Sequence, residues 1–280
     1  MPEQAQNGLD VKDMKLYAQA NSILADLAAL GFPGDAALSV EDLARFDQLH
    51  YHGVESVQAG IDLLGINAAA EVLEVGAGWG GPSRFIASRT GARVVALELQ
   101  EDFHTTGQTL TQRCGLDIFV NHQRGDFLSI EYGQAAFDHV VSWLALYHIP
   151  NRATYTRKIC DLLKPGGTLF VEDLMAGTAF ADTDADVLGR ELFANSMVSE
   201  AHYIDSLRVA GFEIIQAENM TADWRTFTTT RLEMFDANRQ AFIGIHGPEL
   251  FEARRHFYSK IVEYFTADAI GGMRVAARKP

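Results

Sequence analysis

Residues Glu71–Pro82, reading EVLEVGAGWGGP, decide the fold. A short apolar segment runs straight into Gly76, Gly78, Gly80 and Gly81. A buried strand followed by a glycine-rich turn and a helix N-terminus is how an open α/β sheet brings its backbone against a nucleotide-like ligand. Glycine lacks the Cβ atom that would block this approach. The stretch therefore predicts a site for an adenosine-containing cofactor.

Outward from this stretch, the pattern alternates between strand and helix. Strand-like runs lie at Val72–Val75, Arg93–Leu99, Ile118–Val120, Phe137–Ser142 and Thr168–Glu172, with helix-like segments between them. Such alternation predicts an α/β fold with a mostly parallel sheet covered on both faces. Upstream, apolar residues from Val11 to Leu30 (Tyr17, Ala20, Leu24, Leu27, Leu30) recur at helical spacing, and Gly31 and Pro33–Gly34 close that helix. Further helices are expected after Ser39 and over Val54–Leu64. Downstream, Glu200–Ala210 reads as a helix and Phe212–Gln216 as a strand. Residues 221–266 read as two helices carrying an apolar stripe of Phe251, Tyr258, Ile261, Val262 and Phe265, and Gly271–Arg278 reads as a final strand. The expected organisation is N-terminal helices and a lid over 1–66, an α/β core over 67–220, a helical cap over 221–268 and the last core strand over 269–280.

The chain of 280 residues is 48% hydrophobic and 21% charged, ordinary for a globular protein. Its 23 basic and 37 acidic residues give a net charge of −14. That balance argues against nucleic acid and against an anionic membrane surface, both of which need clustered Lys and Arg. No apolar run approaches the length that spans a bilayer, so no membrane insertion is expected. The first ten residues are polar, without the apolar stretch of a secretory signal. Cys114 and Cys160 are the only cysteines. These features fit a cytoplasmic protein.

The glycine turn alone fits a dinucleotide fingerprint through Gly76, Gly78 and Gly81, and Glu98, about 20 residues on, suits a carboxylate that accepts bonds from ribose hydroxyls. Neither feature separates NAD from S-adenosylmethionine. Three others do. Glu74 sits just before the glycines, where a carboxylate repels pyrophosphate and welcomes an ammonium. Asp126 and Phe127 follow the third strand, where an acid beside an aromatic can hold an adenine. Leu163-Lys164-Pro165-Gly166-Gly167 makes a turn directly before Thr168–Asp173.

As a set and in this order, these segments resemble the class I S-adenosylmethionine-dependent methyltransferases over roughly Glu71 to Asp173. The resemblance implies a Rossmann-like seven-stranded sheet with the last strand antiparallel. It implies S-adenosylmethionine as methyl donor and S-adenosylhomocysteine as product. By the same resemblance, Glu74, Gly76, Ala77 and Gly78 hold the methionine part. Glu98 and Leu99 hold the ribose, Asp126 and Phe127 the adenine, and Ser142 and Trp143 line the cofactor. An NAD-dependent oxidoreductase is the alternative of a different class.

The chain is further similar to small-molecule methyltransferases of the sarcosine/dimethylglycine, phosphoethanolamine and sterol types. In the phosphoethanolamine enzymes a His forms a dyad with an N-terminal Tyr. His148 matches that His and Tyr51 is the candidate Tyr, although Leu144 stands where those enzymes carry an Asp. His148, Tyr51 and His52 are the expected catalytic residues, and Tyr147, Asp173, Tyr203 and Trp224 the expected acceptor contacts. Alternation along an extended segment can put His50 and His52 on one face; two histidines do not make a metal site. The chain also resembles cyclopropane fatty acid synthases through Gly78–Gly81, but has Tyr147-His148-Ile149 where those carry Glu-His-Phe. The expected acceptor is a small molecule, with an amine nitrogen first and a carbon or oxygen of a lipid, terpenoid or other natural product as the alternative. A homodimer is a further expectation.

Overall fold

The computed structural model describes residues 20–280. Seven strands are described: β1 (Glu71–Val75), β2 (Arg93–Glu98), β3 (Val120–Arg124), β4 (Phe137–Trp143), β5 (Leu163–Ala176), β6 (Glu213–Asn219) and β7 (Ile270–Arg278). They form one sheet in the order β3-β2-β1-β4-β5-β7-β6. The first five strands are mutually parallel, and β7 runs antiparallel to both β5 and β6. This is the sheet that the resemblance predicts, final antiparallel strand included.

The central strands β1, β4 and β5 are largely apolar on both sides because both faces are covered. Leu73, Val75, Leu97 and Val140 pack into one core layer. Their neighbours Val72, Ala96 and Val141 pack into the opposite one. Period-two side-chain alternation puts successive residues on opposite faces, so a strand buried twice reads as a continuous apolar run.

The described helices are α1 (Ser22–Ala29), α2 (Val40–Leu43), α3 (Gly53–Leu64), α4 (Gly81–Thr90), α5 (Glu101–Arg113), α6 (Arg152–Leu162), α7 (Asp182–Leu192), α8 (Glu200–Ala210), α9 (Thr221–Ala237), α10 (Arg239–His246) and α11 (Pro248–Thr266). Ser39 and Asp42 form a reciprocal capping box on α2, which fixes its start. The N-terminal helix predicted from Val11 is described only from Ser22, and Val11 and Tyr17 lie outside the described residues.

Three expectations are corrected. The third strand starts at Val120, and Ile118 before it is 72% exposed, an apolar residue in a turn that mimics a strand signal. The turn expected over residues 163–167 is a bend inside the extended β5, marked by Gly166 at φ +79° and a register shift against β4 between Phe137 and His139. Residues 221–266 form three helices. The apolar stripe lies wholly in α11, and the residues before it divide at Asn238 into α9 and α10, with Gly247 at φ +83° and Pro248 separating α10 from α11.

Candidate active site

The turn between β1 and α4 takes its shape from left-handed residues: Gly76 (φ +78°), Gly78 (φ +53°) and Gly80 (φ +77°). L-residues with a Cβ resist that conformation. The glycines also admit close neighbours. A Cβ on Gly81 would stand 2.5 Å from the Asp47 carbonyl oxygen, and one on Gly78 would stand 3.0 Å from a methyl of Leu49. The segment preceding α3 therefore lies directly on the turn.

A buried ion pair anchors that segment. Arg84 on α4 donates to Asp47 at 2.9 Å, and both side chains are fully buried. The same guanidinium donates to the Trp79 carbonyl (2.7 Å) and to the Thr111 hydroxyl (3.0 Å), bracing the far end of the turn. Sequence inspection missed this pair, because an Asp and an Arg 37 residues apart carry no motif.

Glu98 ends β2 with its carboxylate fixed by two backbone N–H groups, from Gly78 and from Gln100, each at 2.8 Å. Burial pushes this carboxyl up, against those bonds. Each carboxylate oxygen has two acceptor sites, so each keeps capacity for a further donor. Glu74 is fully buried and accepts a hydrogen bond from Ser83 on α4. Burial pushes its carboxyl up to about 8, with Ser83 and the Arg84 cation opposing. Asp126 accepts from the Leu128 N–H at 2.9 Å, and Phe127 is buried with the Lys158 ammonium 5.4 Å from its ring centroid. Ser142 and Trp143 turn into packing: Ser142 donates to the Val75 carbonyl (2.8 Å), and the Trp143 indole N–H donates to Ser56 (2.9 Å).

A cavity of about 460 Å³ adjoins the turn, a volume suited to a small ligand. Three regions wall it. The segment before α3 contributes Leu49, His50 and Tyr51. The sheet side contributes Trp79, Leu144, Tyr147 and Leu174. Helices α9 and α11, proposed above as a cap, contribute Phe227, Arg231, Tyr258 and Ile261.

The expected acceptor residues divide around this cavity. Tyr51 and Tyr147 line it. Asp173, Tyr203 and Trp224, expected as acceptor contacts, are core residues instead. Asp173 accepts from the Tyr147 N–H (3.2 Å) and the Tyr203 hydroxyl (3.0 Å), and burial pushes its carboxyl up to about 7. The pair thus supports the backbone of Tyr147 from below. The Trp224 ring fills the space where Gly272 lacks a side chain; a Cβ there would stand 2.0 Å from the ring.

The histidines part likewise. His148 packs against Tyr147 with the two rings tilted by 36° (centroids 3.9 Å apart), and its Nδ1–H donates to the Phe193 carbonyl at 3.0 Å. Burial pushes its imidazole down to about 4. It is buried beside the cavity, not in its wall. His50 and His52 do not share a face. His52 has φ +58°, and this left-handed step turns its ring outward to Asp223 of α9 at 2.6 Å. His50 points inward, lines the cavity and donates from Nε2 to the Gly53 carbonyl at 3.0 Å; burial pushes it down to about 4.

Comparison with known proteins places this architecture. Residues 73–171 match the sequence profile of a family described as "Methyltransferase domain". The glycine/sarcosine/dimethylglycine N-methyltransferase of Actinopolyspora halophila is 25% identical over 194 residues, covering 69% of this chain and 34% of that protein. The sterol 24-C-methyltransferase of Eremothecium gossypii is 30% identical over 161 residues, covering 55% and 43%. The chain thus spans less than half the length of either relative. Among solved structures, phosphoethanolamine N-methyltransferase 2 of Haemonchus contortus, in complex with S-adenosyl-L-methionine, aligns with TM-score 0.81 at 18% identity, over 98% of this chain and 61% of that one. The [4+2]-cyclase SpnF aligns with TM-score 0.68 at 19% identity, over 88% and 99%. Residues 73–171 are thus similar to a methyltransferase domain, and the chain has the fold of these solved structures. A cyclase among its structural neighbours illustrates that this fold does not by itself define a reaction.

Proposed function

We propose that this protein binds S-adenosylmethionine at the β1–α4 turn and methylates a small-molecule acceptor held in the adjoining cavity. The observation that carries this reading is the junction itself. The glycine turn, whose Gly78 N–H fixes the Glu98 carboxylate, meets the cavity at Trp79. The donor set fits the cofactor. Glu98 retains acceptor capacity for two ribose hydroxyls, Asp126 and Phe127 are the residues proposed for the adenine, and Gly76, Ala77 and Gly78 those proposed for the methionine part. Leu99 stands beside Glu98 at the ribose position. When bound, S-adenosylmethionine supplies a methyl group already activated on a sulfonium sulfur.

The protein's own part is alignment and exclusion of water. The lid and cap surround the acceptor, and a neutral amine then needs no strong base. Tyr51, Tyr147 and His50 are the groups in the wall that can orient it or take a proton. His148 acts as a positioning residue, its ring packed at a tilt against the Tyr147 ring. An amine nitrogen is the proposed methyl acceptor, in line with relatives named as N-methyltransferases. The apolar wall of Leu144, Leu174 and Phe227 supports the second reading, a carbon or oxygen acceptor, in line with the sterol relatives.

The test is calorimetry followed by turnover. S-adenosylhomocysteine is expected to bind the wild-type chain, and Glu98→Ala to weaken it about tenfold or more, the scale of hydrogen bonds to a charged group. A panel of amines, phenols and terpenoids with radiolabelled S-adenosylmethionine then identifies the acceptor. Tight NAD binding without S-adenosylhomocysteine binding overturns the proposal.

A further inference from the structure

Among the described residues, the histidine in the cavity wall is His50, and its surroundings fix which ring nitrogen is bare. Nε2 lies 3.0 Å from the Gly53 carbonyl oxygen. A carbonyl only accepts, so Nε2 carries the hydrogen and the neutral ring keeps its lone pair on Nδ1. Among the described residues nothing is bonded to that Nδ1. Nor is it sealed in the core, as the unpartnered Nδ1 atoms of His104 and His122 are, so its lone pair opens on the cavity that His50 lines. The Trp143 ring packs at a tilt against the imidazole, with centroids 5.7 Å apart. Burial pushes His50 down to about 4, so the ring is neutral at physiological pH. The titratable group set against it is His52, whose ring turns outward to Asp223.

Two other candidates for taking a proton are engaged elsewhere. His148 gives its Nδ1–H to the Phe193 carbonyl and is absent from the wall. The Tyr51 hydroxyl is hydrogen-bonded to Arg231, and burial pushes its pKa up, so it holds its proton at neutral pH. Leu49, one residue before His50, stands against the glycine turn, its methyl 3.0 Å from where a Gly78 Cβ would be. His50 therefore lies between that turn and the cavity.

We infer that His50 is the catalytic proton acceptor of this site, its Nδ1 receiving a hydrogen bond from an O–H or N–H of the molecule to be methylated. This rests on the methyltransferase reading above and assigns a residue and an acceptor group to that same site. The hydrogen bond turns a lone pair of the accepting oxygen or nitrogen toward the methyl group. As the new O–C or N–C bond forms, the methyl–sulfur bond breaks and its electron pair stays on sulfur. The positive charge passes to the methylated atom. A methylated hydroxyl is an oxonium, a far stronger acid than an imidazolium that titrates at about 4, so its proton moves to Nδ1. The imidazolium then releases that proton to solvent. A methylated amine is an ammonium, a weaker acid than this imidazolium, so it keeps its proton and His50 only orients it. A hydroxyl is thus the acceptor that uses His50 fully. An alkene carbon or a tertiary amine has no hydrogen to offer Nδ1.

The test separates the two ring nitrogens. The full chain is labelled with nitrogen-15 histidine, saturated with S-adenosylhomocysteine and followed by NMR, with His50 assigned through His50→Gln. His50 is expected to show Nε2–H and an unprotonated Nδ1 from pH 5 to 8. This is read in the wild type, so it is decisive whatever the variants do. In His50→Gln the side-chain amide stands in for Nε2 and can still donate to Gly53, but nothing replaces the Nδ1 lone pair. S-adenosylhomocysteine affinity should be unchanged, which also reports that the variant folds. With radiolabelled S-adenosylmethionine, turnover of phenols and alcohols should fall about a hundredfold or more in His50→Gln, the scale of general base catalysis. Turnover of amines bearing an N–H should fall about tenfold or less, the scale of one lost hydrogen bond. His50→Phe, which lacks both nitrogens, should fall as far as His50→Gln. An Nδ1–H tautomer, a charged His50 ring in that pH range, or wild-type turnover by His50→Gln overturns the inference. Any of these with intact S-adenosylhomocysteine binding leaves the methyltransferase reading standing. Failure of the wild type to bind S-adenosylhomocysteine removes both.

Discussion

The proposed cofactor end and the proposed acceptor end of this molecule are built by opposite means. The proposed cofactor end is a set of strand termini, each within a few residues of its candidate side chain: Glu74 and the glycines at β1, Glu98 at β2, Asp126 just beyond β3. The acceptor end is assembled from residues far apart in the chain, Tyr51, Tyr147 and Arg231, carried on a lid, a sheet edge and a cap. The first is dictated by one turn and its sheet. The second depends on how three separate layers are held together, so substrate choice can change without disturbing the cofactor site.

The greatest strain on that contrast comes from Asp47→Ala. Asp47 belongs to the lid, yet its partner Arg84 braces the glycine turn. Removing it leaves a buried charge uncompensated, and a loss of about 3–5 kcal/mol is expected in chemical denaturation. A loss below about 1 kcal/mol would mean that the lid docks on the cofactor end independently of this pair.

Glu74→Gln should have the next largest effect, visible through pH. The Glu74 carboxyl, ordinarily near 4.5, is raised to about 8 in the fold. Between these values the native protein keeps a proton that the unfolded chain releases. Its contribution is therefore fully present below about 4.5 and is lost as pH rises through 8. Melting curves from pH 5 to 8 are expected to lose stability on the order of a few kcal/mol from this group. Glu74→Gln should flatten the slope; an unchanged slope would show that Glu74 is ionised in the fold. Asp173, raised to about 7 beneath the acceptor end, has the same sign, so Asp173→Asn measures the acceptor end's share.

The smallest effect is expected for Asp223→Asn, which removes the contact between the lid's His52 and α9. His52 and Asp223 have side-chain exposures of 28% and 51%, and exposed pairs contribute under about 1 kcal/mol. A loss above about 2 kcal/mol in the same denaturation assay would show that lid and cap fold as one unit.

This division also sets what could be read from sequence. The sheet was legible because doubly buried strands leave apolar runs and their connections leave glycines. The positions of Glu74, Glu98 and Asp126, the candidate cofactor residues, were legible because they sit at fixed offsets from those strands. The acceptor wall was legible only where it borders a strand, at Tyr147, and just before α3, at Tyr51. Asp173, Tyr203 and Trp224 looked like pocket residues, since an acid or aromatic near a strand end is as easily a core hydrogen-bonding or packing group. Arg231 and Asp47 were invisible, as isolated charges in helical or irregular segments whose meaning arises from neighbours distant in the chain.

The seating of Trp224 against Gly272 has a consequence for engineering. A chimaera that replaces residues 221–269 with another protein's cap would carry a ring on one side of the splice and its receiving hole on the other. The bare Gly272 surface and the aromatic that fills it form a lock and key split between two segments. Donor and recipient must match at that one point, or the transplanted cap is held off the sheet and the chamber beneath it changes shape.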